Sequence, residues 1–599
     1  MESNEKLQQL REQMRQAGID LYIVPTSDFH QSEYIGEHFM ARRFLTGFTG
    51  SAGTAVITQT RAGLWTDGRY FVQAAEQLKG SGFTLFPMGE EGVATIGEFI
   101  EENLPQEGVL GFDGRVMAAD QARRYEKIVR EHNGRMETGK DLVGRIWEDR
   151  PPMPATKAWI LPDAYSGETV ASKLYRIRAE LKKQNADIHV ISSLTDIAWI
   201  LNIRGSDIAH VPVILAFLII SQNHADLFVQ DDVLPREVFN YLAASGVRIF
   251  HYDTFYETLA SITASTKVWL DEKEVNYRAV TSLDPRIQII DLPNASEGMK
   301  AVKNETELAN TRIAHRKDGA AMVKFLYWLK THVGREEITE YTAARKLDEL
   351  RSRQEGFLDI SFDTICAYAE NGAIVHYTAE EETARNIEAR GMLLVDSGGH
   401  YMEGTTDVTR TIVLGPLTEE ERRHFTLVCI SNLRLAHAKF LYGCTGINLD
   451  ILAREPLWQD ELDFKHGTGH GVGNLLNVHE GPNAFRWKTT PERLKREVLE
   501  AGMITSDEPG LYFEGKYGIR TENELACIRL GKNEYGQFMG FEVLTYVPID
   551  LNGLDLSLMS AQDKTLLNAY HKEVYDRIAP LLDEEERQWL YIVTRPVEG

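Results

Sequence analysis

Apolar and polar residues alternate along the first 150 positions in a way that predicts helices and buried strands in turn. A polar helical pattern that ends near residue 16 precedes the apolar run LYIVP at 21–25, and strand patterns follow at 54–58 and 63–67. Another helical pattern begins near residue 68. Because strands that alternate with helices are typical of a layered sheet, this region is predicted to be an α/β domain with a largely buried sheet.

The same order of patterns returns after the proline-rich segment RPPMP at 150–154, which predicts an extended linker. A helical pattern at 172–185 precedes a strand pattern at 188–192 and a long apolar run at 211–220. That run is too short to span a bilayer and is predicted to be a buried strand. The repeated order indicates two α/β domains related by duplication, at residues 1–150 and 151–300.

From residue 301 the pattern changes to long helices followed by strands. Helical periodicity extends over 305–332 and again over 338–356, and strand patterns follow at 359–368 and 392–396. The second strand pattern leads into Ser-Gly-Gly, which predicts a hairpin turn. Helices on a hairpin-rich sheet predict an α+β domain over 301–540. Residues 541–599, with a helical pattern at 560–582, form a C-terminal extension that we expect to pack on it.

Composition restricts the class of partner and the compartment. The 599 residues exceed one hydrophobic core, so several domains are expected. A balance of 65 basic against 89 acidic residues gives −24, which argues against nucleic-acid or anionic-membrane partners. The four cysteines show neither zinc spacing nor a dense disulfide pattern, and the N-terminus lacks an apolar signal segment. We therefore expect a soluble cytoplasmic protein.

The densest group of candidate ligands lies in the segment HGTGHGVGNLLNVHEGP at 466–482, where His466, His470 and His479 alternate with glycines. Each glycine costs a helix about 1 kcal/mol relative to alanine, so a loop or irregular strand is predicted. A phosphate cradle is not indicated, because neither G-x-x-x-x-G-K-[ST] nor G-x-G-x-x-G is present. A structural turn whose histidines only satisfy hydrogen bonds is the alternative.

Carboxylates accompany these histidines in the same region. Asp396 and Asp407 are eleven residues apart around the Gly-Gly pair, a spacing that can place them on neighbouring hairpin strands. Buried like charges repel strongly unless a cation lies between them. Glu508 comes directly before Pro-Gly, and Glu522 lies in a strand-like segment. The alternative for each is a solvated surface carboxylate, and only their joint pattern favours a metal site.

Together these segments resemble the metal-dependent peptidases of the pita-bread fold, which include methionine aminopeptidase, prolidase and Xaa-Pro aminopeptidase. The motifs HGTGHGVG at 466–473, VHEGP at 478–482 and NGAIVHYT at 371–378 resemble the Xaa-Pro aminopeptidase (aminopeptidase P) branch. In the first block, FLTGFTGSAG at 44–53 and WTDGRY at 65–70 are similar to the creatinase-like domain of that family. The resemblance implies two creatinase-like N-terminal α/β domains followed by a C-terminal pita-bread catalytic domain.

The resemblance also implies a site for two divalent metal ions. The five residues implied as ligands are Asp396, Asp407, His470, Glu508 and Glu522. Asp407 and Glu522 would be the bridging carboxylates. Four carboxylates and one imidazole suit hard or borderline ions, so Mn²⁺ is the first choice and Co²⁺ or Zn²⁺ stay open.

Catalytic roles follow from the same resemblance. Glu508 would pass a proton from the attacking water to the leaving imino nitrogen. His376 and His479 would stabilise the oxyanion and position the peptide. The residues implied to bind substrate are Arg69, His376, His466, His479 and Arg520. Among these, His466 would line the pocket for the proline ring, Arg520 would support Glu522, and Arg69 of the first domain would contact substrate.

The implied activity is removal of an N-terminal residue that precedes proline, by a homodimer that acts on peptides with proline in the second position. Proline lacks an N–H and has a fixed φ, which excludes it from most aminopeptidases. The proline specificity rests on the resemblance alone. The alternatives are prolidase, which cuts Xaa-Pro dipeptides, creatinase on the same fold, and a non-catalytic pita-bread domain that only binds a peptide or protein.

Overall fold

The computed structural model describes residues 2–598 and divides into two compact units. One unit contains the residues up to Asp163 together with Glu168–Ser296. The other contains Ala164–Gly167 together with the residues from Glu297 onward. The first unit includes both predicted α/β regions, and the second includes the predicted catalytic region and the extension. The finer division at residues 150, 300 and 540 stays a prediction.

The first 301 positions form a series of helices and short strands in alternation. The α-helices are α1 (Ser3–Ala17), α2 (Ala41–Thr46), α3 (Phe71–Gln77), α4 (Ile96–Asn103), α5 (Ala119–Glu131), α6 (Asp163–Ser166), α7 (Val170–Lys183), α8 (Leu194–Leu201), α9 (Arg236–Ala244), α10 (Phe255–Ala260), α11 (Tyr277–Ser282) and α12 (Ala295–Ala301). The strands are β1 (Leu21–Pro25), β2 (Thr54–Thr58), β3 (Ala62–Thr66), β4 (Thr84–Pro87), β5 (Val109–Gly111), β6 (Arg135–Glu137), β7 (Trp159–Ile160), β8 (Ile188–Ile191), β9 (Ile203–Arg204), β10 (Ala216–Ser221), β11 (Ala225–Val229), β12 (Val247–His251), β13 (Lys267–Leu270) and β14 (Gln288–Asp291). Short 3₁₀ turns occupy Glu37–Phe39 and Tyr252–Thr254.

Two six-stranded sheets of the same topology organise this unit. Their orders are β4-β3-β2-β1-β5-β6 and β12-β11-β10-β8-β13-β14. In each sheet the central strand pairs antiparallel with one neighbour and parallel with the other, as β1 does with β2 and β5, and β8 with β10 and β13. Central strands are buried on both faces, which is why their sequences are continuous apolar runs. The shared topology agrees with the duplication indicated by the sequence.

The apolar run at 211–220 becomes a strand later than predicted. Strand β10 begins at Ala216, and the preceding backbone is bonded to Asp207 instead of to a neighbouring strand. The Asp207 amide donates to the Val213 carbonyl at 3.0 Å, and the Leu215 amide donates to the Asp207 carboxylate at 2.7 Å. Apolar periodicity does not report such side-chain-to-backbone bonds, so the start of the strand was predicted wrongly.

The second unit contains longer helices and antiparallel strands. Its α-helices are α13 (Glu305–His332), α14 (Glu340–Ser352), α15 (Glu419–Ala436), α16 (Gly446–Leu449), α17 (Ile451–Trp458), α18 (Pro491–Leu494), α19 (Ala561–Ile578) and α20 (Glu584–Val593). Its strands are β15 (Phe357–Ile360), β16 (Ile365–Tyr368), β17 (Met392–Ser397), β18 (Gly399–Tyr401), β19 (Gly404–Thr405), β20 (Val408–Val413), β21 (Phe440–Leu441), β22 (Gly469–Gly471), β23 (Glu480–Phe485), β24 (Ile504–Asp507), β25 (Gly510–Phe513), β26 (Tyr517–Arg520), β27 (Asn523–Asn533) and β28 (Gly536–Val543). Short 3₁₀ turns occupy Ala369–Ala373, Leu551–Gly553 and Ala579–Leu581.

The long helix α13 begins and ends at the predicted residues. Asn304 caps it, because its side chain accepts from the Glu307 amide while the Glu307 side chain accepts from the Asn304 amide. This reciprocal capping satisfies two amides that the helix leaves unpaired. The helical period at the start of the catalytic region is therefore confirmed.

The predicted strand at 359–368 is two strands that belong to different sheets. Strand β15 pairs with β18, whereas β16 pairs with β17. The chain also does not turn at the Gly-Gly pair: Gly399 continues into β18, and the turn follows Tyr401. A Cβ at Gly398 would lie 1.9 Å from the Thr406 carbonyl oxygen, so this glycine permits a close backbone approach. Both sequence expectations were wrong, because each depends on pairing with strands that are distant in the sequence.

Two antiparallel sheets carry the candidate site. The first has the order β16-β17-β20 and the second has the order β21-β28-β27-β24-β22-β23. Helix α15 is buried at most of its positions, and its side chains contribute to the main hydrophobic core of the unit. The site therefore rests on packed strands rather than on surface loops, which favours fixed side-chain positions.

The Arg410 side chain connects the site to helix α19 of the C-terminal extension. Its guanidinium is fully buried and donates to the Glu522 carbonyl at 2.6 Å and to the Asn523 side chain at 2.8 Å. It also donates to the Tyr570 hydroxyl at 2.6 Å, and this hydroxyl donates to the Val547 carbonyl at 2.7 Å. Arg410 Nη2 also donates to the Val547 carbonyl at 2.8 Å, so Tyr570 of α19 belongs to a shared network of buried hydrogen bonds around this guanidinium.

Tyr570→Phe is expected to lower the free energy of unfolding by about 1–2 kcal/mol, because it removes a buried hydroxyl that accepts from Arg410 and donates to the Val547 carbonyl. Chemical denaturation monitored by circular dichroism measures this change. Tyr575→Phe on the same helix is the matched control, since the Tyr575 hydroxyl makes no hydrogen bond with the described residues. Equal stability losses in the two variants would contradict the role given to Tyr570.

Candidate metal centre

The five predicted ligands lie at the ends or centres of paired strands. Asp396 lies in β17 and Asp407 directly precedes β20, while His470 is the central residue of β22. Glu508 follows β24 and Glu522 directly precedes β27. Since β17 pairs with β20, and β24 pairs with both β22 and β27, sheet register brings residues from distant parts of the sequence to one place.

Thr409 joins the two sheets at the centre of the site. Its carbonyl accepts from the Glu522 amide at 3.1 Å, and its hydroxyl donates to Glu522 Oε2 at 2.7 Å. Asp407 lies two residues before Thr409, directly ahead of β20. Its ligand oxygen lies within 4.8 Å of a carboxylate oxygen of Glu522.

The ligand atoms converge within coordination distance of a common centre. His470 Nε2 lies 3.5 Å from Asp407 Oδ2 and 3.3 Å from Glu508 Oε1. Asp407, His470 and Glu522 each offer a ligand atom, and these atoms lie within 4.8 Å of one another. Asp396 lies opposite Thr409 in the register of β17 with β20, and its charge helps to raise the pKa of Asp407 and of Glu522.

His470 is oriented by its other ring nitrogen. Nδ1 lies 2.9 Å from the Gly471 carbonyl oxygen, which can only accept a hydrogen bond, so Nδ1 carries the proton. Nε2 is then the nitrogen that faces the carboxylates. This arrangement is the usual one for a metal-binding histidine, whose second nitrogen donates to a carbonyl or carboxylate.

Arg520 binds Asp396 directly. Its Nη2 donates to Asp396 Oδ2 at 2.5 Å and its Nη1 donates to the Tyr512 hydroxyl at 2.8 Å. The expected support of Glu522 is indirect, because Arg520 Nε reaches the Thr409 hydroxyl at 3.3 Å, and Thr409 in turn binds Glu522. The strand register of β26 determines that the Arg520 side chain points toward Asp396, and the sequence does not reveal that register.

The buried carboxylates carry more negative charge than the nearby cations neutralise. Burial raises the pKa of Asp407 well above its ordinary value, and Asp396 and Glu508 raise it further. Burial likewise raises the pKa of Glu522, with Asp407 as the next cause. Burial also raises the pKa of Glu508, although His470 and Arg520 oppose it.

Unpartnered oxygens in this cluster fit a cation site. Asp396 Oδ1 and Asp407 Oδ1 are buried and make no hydrogen bond with the described residues. A buried carboxylate oxygen without a donor is costly unless it ligates a metal. The set contains four carboxylates and one imidazole with no thiolate, which is the chemistry of a site for hard or borderline divalent ions. The residues present therefore fit the implied metals.

The predicted histidines lie around this cluster in different ways. The His479 ring stands edge-on to the His470 ring, with 4.2 Å between centroids. His376 follows Val375, whose carbonyl accepts from Arg520 Nη2 at 3.4 Å. The structure thus brings His479 against a predicted ligand and places the segment with His376 next to Arg520.

His466 is connected to the site through Tyr512. Its Nε2 lies 2.8 Å from the Tyr512 hydroxyl, which also accepts from Arg520. Its ring packs against Phe464 and Tyr512, with centroid distances of 4.8 and 5.4 Å. Burial raises the pKa of Tyr512 to about 12, so this hydroxyl stays protonated at neutral pH.

Arg69 belongs to the first unit and has local acidic partners there. Its Nε and Nη2 each lie 2.8 Å from an oxygen of Asp67, and its Nη1 lies 3.8 Å from Glu33. The guanidinium is half-buried against Tyr70. A contact between Arg69 and substrate stays a prediction.

Two residues of the site were missed by the sequence reasoning. Tyr512 joins Arg520 to His466, and Ser506 donates to Glu508 at 3.2 Å while it accepts from the His470 amide at 3.0 Å. Ser506 could have been found from strand alternation, because residues 506 and 508 share a face. Tyr512 gave no comparable signal.

Comparisons with known proteins agree with this geometry. Models of the creatinase/prolidase N-terminal domain match residues 6–140 and 149–307, metallopeptidase family M24 matches 309–528, and the C-terminal region of peptidase M24 matches 537–597. Aminopeptidase P2 of Arabidopsis thaliana is 37% identical, over 99% of this chain and 88% of its own length. A probable Xaa-Pro aminopeptidase P of Aspergillus fumigatus is 38% identical, over 99% of this chain and 93% of its own length.

A solved structure covers the whole chain as well. The X-prolyl aminopeptidase of Caenorhabditis elegans, described as a cytosolic enzyme with a di-nuclear active site, superposes with a TM-score of 0.95 at 33% identity and covers 100% of both chains. Creatinase-like domains followed by an M24 domain with a buried carboxylate–histidine cluster define a metallopeptidase of the pita-bread fold. Within that class, the chain belongs to the aminopeptidase P family. The resemblance and the fold class inferred from the sequence are confirmed.

Two further findings concern the environment of the protein. The four cysteines Cys366, Cys429, Cys444 and Cys527 are free thiols. Within residues 2–598, no helix is both long and apolar enough to cross a membrane.

The stability of the metal-free protein is expected to fall as pH rises above about 4, the ordinary pKa of a carboxyl group. A carboxyl whose pKa is raised by folding stabilises the native state below its unfolded pKa of about 4, and loses this contribution as pH rises through the raised value. Asp407 and Glu522 are such groups. Divalent metal removes the penalty, so the melting-temperature difference between metal-loaded and chelated protein should widen with pH.

Differential scanning calorimetry at several pH values measures this difference. Asp407→Asn serves as the internal control, because removal of one titrating carboxyl should flatten the pH dependence of the chelated protein. A difference between loaded and chelated protein that stays constant over the range would contradict the charge balance described above.

Proposed function

We propose that this protein is a metal-dependent Xaa-Pro aminopeptidase, which removes an N-terminal residue that precedes proline. The observation that carries this proposal is the converged set of four carboxylates and one imidazole, within a chain that resembles enzymes of that name over its whole length. Peptides with proline in the second position are the proposed substrates.

We propose that the five ligands hold two divalent ions, with Mn²⁺ as the first choice. Four carboxylate charges approximately balance two divalent cations. Asp407 and Glu522 are proposed as bridging ligands, because each comes from a different sheet and their oxygens share the centre of the cluster with His470 Nε2. The di-nuclear site described for the Caenorhabditis elegans enzyme supports this stoichiometry.

Metal ions of this kind supply Lewis acidity, which lowers the pKa of water and polarises a carbonyl group. Glu508 is the proposed proton carrier, which accepts a proton at its carboxylate and delivers it to the leaving imino nitrogen. Its side chain is 18% exposed, against 11% for Asp396 and 5% for Asp407, so it is the carboxylate among these three most open to substrate. The Ser506 hydroxyl donates a hydrogen bond to one carboxylate oxygen of Glu508.

His376 and His479 are the proposed stabilisers of the negative charge that develops on the scissile carbonyl oxygen. Fixed N–H donors aimed at such an oxygen commonly supply a large part of the rate enhancement. His479 is supported in this role by its contact with the His470 ring, which places it beside the ligand cluster. His376 is supported by its neighbour Val375, which is bound by Arg520.

The wall formed by Phe464, His466 and Tyr512 is the proposed contact surface for the proline ring. These three rings pack together next to Arg520, and His466 is fixed by its hydrogen bond to Tyr512. An apolar, rigid surface suits a ring that offers no N–H for recognition. A cytosolic location and a homodimer are proposed from the family alone.

Hydrolysis of Arg-Pro-Pro is the direct test of the proposed activity. Free arginine should be released by metal-loaded protein, lost after chelation and restored by Mn²⁺, because the site needs its cations to position the water and carbonyl. Arg-Ala-Ala should be cleaved far more slowly. Asp407→Ala should lower kcat by at least about 10³-fold, since it removes a ligand required by both ions.

Glu514→Ala is the matched control, because Glu514 is an exposed carboxylate at the turn between β25 and β26. Its activity should equal that of the parent protein. Cleavage of a Xaa-Pro dipeptide with Arg-Pro-Pro left intact would assign the site to a prolidase instead. Metal binding without any cleavage would favour the non-catalytic binding protein.

A further inference from the structure

One buried carboxylate outside the metal cluster organises the segment that carries His376. Glu340 is fully buried at the first position of α14. Its Oε1 accepts from the Tyr368 amide at 2.6 Å and from Asn371 Nδ2 at 3.0 Å. Its Oε2 accepts from the Tyr377 hydroxyl at 2.8 Å and from the Arg385 amide at 2.9 Å. Tyr368 is the last residue of β16, and the other three donors belong to the stretch of chain that follows it.

That stretch, which we name the His376 loop (residues 369–391), connects β16 to β17. Beyond the 3₁₀ turn Ala369–Ala373 it has no regular helix or strand, and much of it is exposed. A loop of this length without its own core depends on bonds to neighbouring elements for a fixed conformation. The carboxylate of Glu340 provides three of them directly, to Asn371, Tyr377 and Arg385.

Glu340 is itself held rigidly. Thr339 caps α14, and Ala343 and Leu347 of the same helix are fully buried in the hydrophobic core. A negative side chain at the first turn of a helix is favoured by the helix dipole. The Glu340 amide also donates to the Arg385 carbonyl at 2.9 Å, so that backbone and side chain both bind the loop.

The opposite side of His376 is attached to the metal cluster. Arg520, which binds Asp396, also donates to the Val375 carbonyl. Close to this point Gly372 contacts Gly518 of β26, where a Cβ on Gly518 would lie 1.7 Å from the Gly372 carbonyl oxygen. Val375 and Tyr377, the two neighbours of His376, are therefore fixed by different partners.

Tyr377 binds Glu340 through its protonated hydroxyl group. Burial raises the pKa of the Tyr377 hydroxyl, and its hydrogen bond to the Glu340 carboxylate raises it further. The hydroxyl is thus a permanent donor at neutral pH. Both the carboxylate and the phenol are needed for this contact, and neither belongs to the ligand cluster.

We propose that Glu340 is a positioning residue for the reaction: it fixes the His376 loop so that the His376 imidazole meets the scissile carbonyl. The inference rests on the proposed aminopeptidase function, in which His376 stabilises the developing charge. Glu340 does not touch substrate or metal in this account. Its effect on catalysis passes entirely through His376.

The test is a double-mutant cycle between Glu340→Gln and His376→Ala in the Mn²⁺-loaded full chain. Glutamine keeps the size of the side chain but turns an NH₂ group toward amide and hydroxyl donors. We expect Glu340→Gln to lower kcat for Arg-Pro-Pro by about 10- to 100-fold, the cost of misplacing a catalytic group by about 1 Å. Metal content by elemental analysis and KM should stay close to parental values.

Non-additivity distinguishes positioning from general stabilisation. In the His376→Ala background, Glu340→Gln should cost less than about 2-fold in kcat, because the group it positions is already absent. Hydrogen–deuterium exchange should rise in residues 369–391 while the strands that carry the metal ligands keep parental protection. Glu337→Gln is the matched control, an exposed glutamate three residues before Glu340 on the same connection, and should leave every reading unchanged.

Tyr377→Phe provides a second variant if Glu340→Gln fails to fold, since it removes one bond to the carboxylate and keeps the ring. A smaller kcat loss that again disappears in the His376→Ala background would support the proposal. Equal losses in both backgrounds, or loss of bound metal, would overturn it. Failure of the parent protein to cleave Arg-Pro-Pro would overturn the proposed function instead, and the role of Glu340 with it.

Discussion

Repulsion among four carboxylates is the constraint on which the rest of the catalytic unit depends; Asp396, Asp407 and Glu522 are buried, and Glu508 is partly exposed. Two unit charges about 4 Å apart repel by about 4 kcal/mol at an effective dielectric constant of about 20, and burial adds a desolvation cost. Arg520 neutralises part of this charge through Asp396, and His470 Nε2 faces Asp407 and Glu508. The repulsion that is left contributes, together with burial, to the raised pKa values of Asp407 and Glu522. Divalent cations at the centre of the cluster would remove it.

The fold keeps these charges together by joining two sheets at their centre. Thr409 binds Glu522 by both backbone and hydroxyl, and Arg410 binds the backbone of the same glutamate from the opposite side. Tyr570 then connects Arg410 to helix α19 of the C-terminal extension. The extension therefore contributes to the position of a proposed bridging ligand, which explains why it is folded into the same compact unit as the site.

Local patterns predicted the elements whose signals are contained in neighbouring residues. Helix α13 and strand β1 have the predicted bounds, because capping residues and apolar periodicity act within a few positions. The break between β15 and β16 and the course of the chain at Gly398 depend instead on contacts with distant strands, and both were predicted wrongly. Sequence similarity to a family, not periodicity, selected the candidate ligands.

The side chains that hold the site in place were the least predictable. Arg520 was expected beside Glu522, but strand register aims it at Asp396. Glu340 and Arg410 looked like ordinary charged residues, since 154 acidic and basic residues stand in the sequence and burial cannot be read from any one of them. Their importance arises from acceptors and donors that come together only in the folded chain.

Electron paramagnetic resonance of the Mn²⁺-loaded protein tests the central claim most directly. Two Mn²⁺ ions that share the Asp407 and Glu522 carboxylates should be exchange-coupled, with two ions per chain by elemental analysis and a multiline spectrum that Asp407→Asn abolishes. A spectrum of isolated, uncoupled Mn²⁺, or one ion per chain at saturation, would contradict a bridged pair of metals at this site.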